Sequence, residues 1–80
     1  MDKSNLTLAK IFEEMAELIQ FKDQLDEADP FRIRAYLKTS QVLKNLPYEL
    51  HQLWEEGKLP QKIPGIGAKS LQKIEEFFKT

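Results

Sequence analysis

The five residues Ile63-Pro64-Gly65-Ile66-Gly67 constrain this chain more than any other stretch of it. Pro64 has no backbone N–H and biases Ile63 away from helical angles, so a short helical turn arriving from Leu59 must end there. Gly65 and Gly67 allow positive φ and carry no Cβ, which leaves the hairpin open to close approach; a side chain at Gly65 is expected to block a bound phosphate. Ile66 is too apolar for an exposed tip and is expected to plug down between the flanking helices. From Ala68 an amphipathic helix follows, its first N–H groups unpaired and aimed outward, which makes an anion site. Lys69 and Lys73 lie four apart and share a face of it. A glycine hairpin, an open helix N-terminus and two stacked lysines together predict a phosphate cradle at Gly65, Gly67, Ala68 and Lys69.

The charge pattern agrees with that reading, although the total does not. The 80 residues carry a net charge of −1, which argues against a polyanionic partner. Residues 31–44, however, contain Arg32, Arg34, Lys38 and Lys44 and no acid, and residues 58–73 contain Lys58, Lys62, Lys69 and Lys73 and no acid. These windows hold 8 of the 12 basic residues and none of the 13 acidic ones, while residues 1–30 hold 3 basic and 8 acidic. Such segregation predicts one basic face and one acidic face, and a phosphate responds to the local field.

Length and composition exclude much else. Eighty residues make a single domain with a thin core. There is no cysteine, hence no disulfide framework or thiolate metal site, and the lone His51 is expected on a solvated helix face. Glu13, Glu14 and Glu17 interrupt the apolar residues of the first helix, which argues against a signal peptide or membrane span and for a cytoplasmic location.

The periodicity predicts an all-α, compact four-helix domain with one short helical turn before Pro64 and no sheet. Residues 1–5 are expected to be disordered and 6–80 to form the domain. The helices are expected near 6–21, 30–45, 47–56 and 68–79. Ser4 or Asn5 is a candidate cap of the first helix, whose stripe is Leu8, Ile11, Phe12, Met15, Leu18 and Ile19. An acidic connection, 22–29, leads to Asp29-Pro30, a strong helix start. In the second helix Phe31, Ala35, Val42 and Leu46 are expected inward, and Arg34, Lys38 and Gln41 outward. Arg32 and Tyr36 project together from one edge. Pro47 opens the third helix and Gly57 closes it, with Leu50, Leu53 and Trp54 buried and Trp54 the anchor of the core. Leu71, Ile74, Phe77 and Phe78 turn inward from the last helix.

With its flanks and the apolar Ile74, the sequence Ile63-Pro64-Gly65-Ile66-Gly67 resembles the helix-hairpin-helix DNA-binding motif, with Leu71 where that motif usually has alanine. Over a longer span, DPFRIRAY, then LP, then IPGIGAKSLQKIEEF, the chain resembles the amino-terminal domain of family X DNA polymerases. The bacterial and archaeal members come first, and the lyase domain of DNA polymerase beta more distantly. The resemblance covers about Leu6 to Thr80. It implies a domain that grips the 5′-phosphate side of gapped, nicked or 5′-phosphorylated DNA as a monomer, followed by a polymerase domain in a full-length protein. It places Arg32, Tyr36, Lys38 and Lys69 at the phosphate and Lys73 at the Schiff-base lysine of a 5′-deoxyribose phosphate lyase. It also implies Na+ or K+ held by backbone carbonyls of Gln61, Ile63 and Ile66, with no other cofactor required. Gln72 stands where the family commonly has a glutamate that could act as base, and the polymerase aspartates are absent from this chain. Three readings stay open: a DNA binder that does not read sequence, a lyase on Lys73, and a helical protein-interaction module with the acidic first helix as its contact surface.

Overall fold

The computed structural model describes residues 2–23 and 30–80. The expected cap at Asp29 and the connection 24–29 lie outside the described residues. Four helices form, α1 (Asn5–Asp23), α2 (Pro30–Asn45), α3 (Leu50–Glu55) and α4 (Ala68–Phe78), and among the described residues there is no strand. The fold is an all-α globule, with α1 packed along α2 and α3 against α4.

Leu8, Phe12 and Ala16, with Ala9 beside them, recur at helical spacing and bury the inner face of α1. Phe12 meets Tyr36 of α2 with ring centroids 5.6 Å apart. The buried positions of α2 are Tyr36, Thr39, Ser40 and Leu43, with Ile33 and Val42, and Leu46 just past its end, partly buried. This corrects the expected face: Phe31 is 78% exposed, and Ala35 is exposed as well. Leu18, expected on the α1 stripe, is also exposed. An apolar count rotates α2 wrongly because its inner face carries two hydroxyl residues. The Ser40 hydroxyl is satisfied there, donating to Glu13 Oε1 across the helix pair at 2.9 Å. The Lys44 ammonium and this Ser40 hydroxyl hold the Glu13 carboxyl below the usual glutamate range.

The third helix is shorter than Pro47 suggested. It begins at Leu50, with Glu49 in extended conformation as its N-cap and no side chain of its own capping it. The cap comes from α1 instead. Asn5 Oδ1 accepts the Leu50 N–H at 3.0 Å, and Asn5 Nδ2 donates to the Tyr48 carbonyl at 2.6 Å. Glu49 Oε1 returns the favour by accepting the Asn5 N–H, 2.9 Å away, at the start of α1. Each helix start is thus closed by a side chain from the other. Residues 2–5, expected to be disordered, therefore belong to the fold. Asn5 is 3% exposed, Ser4 Oγ accepts the Thr7 N–H, and Lys3 Nζ donates to the Phe78 carbonyl at the C-terminus of α4.

Gly57, with φ of +72°, ends α3. Its N–H bonds the Trp54 carbonyl and the Lys58 N–H bonds the Leu53 carbonyl, the paired closure that a left-handed glycine permits. Trp54 and Phe77 are only partly buried, contrary to expectation, and Leu50, Ile74 and Phe78 supply the dry centre here. A chain this small has a thin core, and its one indole lies at the edge of it. Trp54 packs at the edge against Phe78 (5.6 Å between centroids) and stacks with His51 (6.0 Å), which is half-buried rather than solvated.

Asn5→Ala should destabilise the domain by about 1–3 kcal/mol, because the Leu50 N–H and Tyr48 carbonyl lose their partner together. Urea denaturation followed by helical circular dichroism measures this; a loss below 0.5 kcal/mol, on the order of a surface change, would mean water replaces the cap without cost.

Candidate nucleic-acid interface

Ile63-Pro64-Gly65-Ile66 makes one tight turn, closed by the Ile66 N–H donating to the Ile63 carbonyl at 2.9 Å. Gly65 takes φ of +87° at its third position, where proline followed by a left-handed glycine gives a type II geometry. Ile63 and Ile66 are buried, so the hairpin is pinned by its two apolar residues while Pro64 and Gly65 stay at the surface. Before it, residues 58–62 form no helix, only a bend at Gln61, so the expected short helical turn is absent. Pro60 removes one N–H from the middle of that segment, and Pro64 biases Ile63 after it away from helical angles.

The hairpin lies against α2. A Cβ built on Gly65 would stand 2.6 Å from Val42 Cγ2, closer than real atoms approach. The glycine is therefore required for packing, which corrects the expectation that a side chain there would merely block a ligand. Gly67 differs. It is the N-cap of α4, in extended conformation, and a Cβ there meets nothing within 4 Å. No side chain caps α4, and its first intrahelical bond runs from the Leu71 N–H to the Gly67 carbonyl. The N–H groups of the first turn are left for an outside acceptor.

Between α2 and this hairpin-α4 corner runs a groove of about 830 Å³. From α2 it is lined by Arg32, Ala35, Tyr36, Lys38 and Thr39. The hairpin and α4 contribute Gly65, Ile66, Gly67, Ala68, Lys69, Ser70 and Lys73. Arg32, Tyr36, Lys38, Gly65, Gly67, Ala68, Lys69 and Lys73 thus come to one site from two distant parts of the chain. Gln61 and Ile63 do not line it. Four cations face the groove and no carboxylate does. Among the described residues Lys38, Lys69 and Lys73 form no ion pair.

Tyr36 is 6% exposed, so its ring belongs to the core while its hydroxyl reaches Arg32 Nη2 at 3.4 Å. The Arg32 guanidinium also lies 5.8 Å from the ring centroid, a cation–π contact that steadies a long side chain. The other four cations of the acid-free windows point elsewhere: Arg34, Lys44, Lys58 and Lys62 are absent from the groove, and Lys44 pairs with Glu13. The sequence reading missed Thr39 and Ser70, both buried along the groove. Their only sequence signal is placement: Thr39 follows Tyr36 by three, and Ser70 falls between the two lysines of α4.

A buried-isoleucine hairpin feeds an uncapped helix beside a cationic groove, the build of a helix-hairpin-helix module. The chain belongs to the helix-hairpin-helix domain family, whose model matches residues 3–80. Domains of this family bind DNA. No curated protein and no solved structure matches the chain. Among the described residues no helix is long and apolar enough to cross a membrane.

Gly65→Ala should lower the unfolding midpoint markedly, since the added methyl meets Val42 and the backbone is left-handed, costing about 1–3 kcal/mol. Gly67→Ala should cost less, about 0.5–1 kcal/mol, because no neighbour is crowded and only the better N-cap residue is lost. Equal melting of the two variants would show that the hairpin does not rest on α2.

Proposed function

We propose that this domain binds DNA by its backbone at 5′-phosphorylated gaps or ends, without reading sequence, as the amino-terminal domain of a family X DNA polymerase. The observation that carries the reading is the groove itself: Arg32, Lys38, Lys69 and Lys73 line it with the uncapped start of α4 and no acid. Phosphate oxygens need such a set, because N–H groups at a helix start supply direction and the cations supply charge. Contacts of this kind to phosphate position a duplex without specifying its sequence. The hairpin carbonyls would add a monovalent cation. Gln61, Ile63 and Ile66 would supply backbone carbonyls of the hard type Na+ or K+ accepts, and the Ile63 carbonyl keeps a lone pair beyond its bond to the Ile66 N–H.

A second reading is favoured by one placement, that of Lys73 in the same groove as Lys69, Arg32 and Tyr36. In it the neutral Lys73 amine attacks the C1′ aldehyde of an incised abasic sugar and water leaves, forming an imine. Loss of a C2′ proton then breaks the C3′–O bond and releases the downstream strand as a 5′-phosphate. Gln72 cannot take that proton. Tyr36 lines the groove and Glu75 does not, so the base would be Tyr36 or a water beside it.

Binding to a one-nucleotide gap with a 5′-phosphate should weaken steeply with salt. Four phosphate contacts give a log–log slope of roughly −3 to −4, and Lys69→Ala should reduce its magnitude by about one. A flat salt response would remove the groove from DNA binding. Borohydride on an incised abasic duplex separates the two readings: an adduct lost in Lys73→Ala establishes the lyase. Absence of any adduct from the parent protein leaves a binder.

A further inference from the structure

Two groups in the groove play no part in the charge argument. Thr39 is 1% exposed and Ser70 6%, and both line the groove, one from each wall. Among the described residues neither hydroxyl has a hydrogen-bond partner, whereas the equally buried Ser40 next to Thr39 gives its hydroxyl to Glu13. A buried hydroxyl without a partner is destabilising, and valine and alanine would fill the same two places without that penalty. Packing therefore does not account for them. Their position does, because they lie deeper than the exposed cations Arg32, Lys38, Lys69 and Lys73 that line the same groove.

We propose that the Thr39 and Ser70 hydroxyls donate hydrogen bonds to a terminal phosphate monoester seated at the floor of the groove, and so make the site selective for a 5′-phosphate end over an internal phosphodiester. This rests on the DNA-binding reading and adds the groups that set its preference. Surface cations meet any phosphate that passes, so they give affinity with little discrimination. A diester phosphate has two free oxygens and a sugar on each side, and entering a groove presses both sugars against the walls. A monoester has three free oxygens and one sugar, and it enters end-on. Exposed lysines and the start of α4 take the outer oxygens, and the innermost oxygen meets the two hydroxyls. Neutral donors on helix backbones have short, fixed reach, so they select by position where lysines select by charge.

The test uses the whole chain and two one-nucleotide-gapped duplexes that differ only in a 5′-phosphate or 5′-hydroxyl at the gap, with affinities from fluorescence anisotropy. The parent protein should favour the phosphate by about tenfold or more, and Thr39→Val with Ser70→Ala should cut that ratio several-fold, toward the part that the retained cations give on their own. Thr39→Ser, which keeps the hydroxyl, should keep the ratio, and circular dichroism with a thermal melt establishes that each variant is folded. An unchanged ratio in the double variant overturns the proposal, as a water bridging the two hydroxyls would predict. Equal loss on both duplexes also overturns it, because that marks a packing role. A parent protein that binds both gaps equally overturns this inference and leaves DNA binding standing. One that binds neither takes down the reading beneath it.

Discussion

The close approach of the hairpin to α2 at Gly65 is the contact on which the site depends. With Val42 Cγ2 only 2.6 Å from where a Cβ would be, no other residue allows the turn to sit so near. That approach brings the uncapped start of α4 opposite Arg32 and Tyr36, which are more than thirty positions upstream in the chain. A hairpin held farther off would keep its own N–H groups and lysines but lose the second wall, and a cradle would become an exposed helix end. The burial of Ile63 and Ile66 serves the same end, since two apolar anchors fix the turn that one glycine seats.

Support for that corner comes from the far side of the molecule. Asn5 and Glu49 close each other's helix starts, which fixes α3 to the beginning of α1. From α3 the rings of His51 and Trp54 pack on Phe78, and Lys3 holds the last carbonyl of α4, that of Phe78, from the N-terminal side. The C-terminal end of α4 is thus tied down by contacts separate from those at its start. A helix fixed at its far end can present its first turn to a ligand with little ordering cost, the usual advantage of a preformed site.

Local chemistry was legible in the sequence; the orientation of one helix was not. The turn at Pro64-Gly65, the start of α4 at Ala68 and the buried face Leu71, Ile74 and Phe78 follow from proline and glycine constraints and from spacing, which act within a few residues. The inner face of α2 does not follow, because Tyr36, Thr39 and Ser40 occupy it while Phe31 and Leu37 face outward. Of the polar residues on that buried face, Thr39 lies on the wall of the groove, while Ser40 is taken up by Glu13. The α3 start failed for another reason. Proline commonly opens a helix, but here the capping group comes from Asn5, 45 residues away, which no local window contains.

A chain of net charge −1 can hold a polyanion because a phosphate feels charges within about a Debye length, roughly 8 Å at physiological salt. Inside the groove all four charged side chains are cations, and the acids of α1 act elsewhere, with Glu13 already engaged by Lys44 and Ser40. The same segregation limits what charge can achieve. Four exposed cations attract every phosphate of a duplex alike, so the proposed preference for an end needs a term that an internal phosphate cannot collect. Depth supplies such a term where charge cannot. Among the described residues lining the groove, the hydroxyls of Thr39 and Ser70 are buried and have no hydrogen-bond partner. Affinity from the rim and selection from the floor are separable, because the first is screened by salt and the second is not.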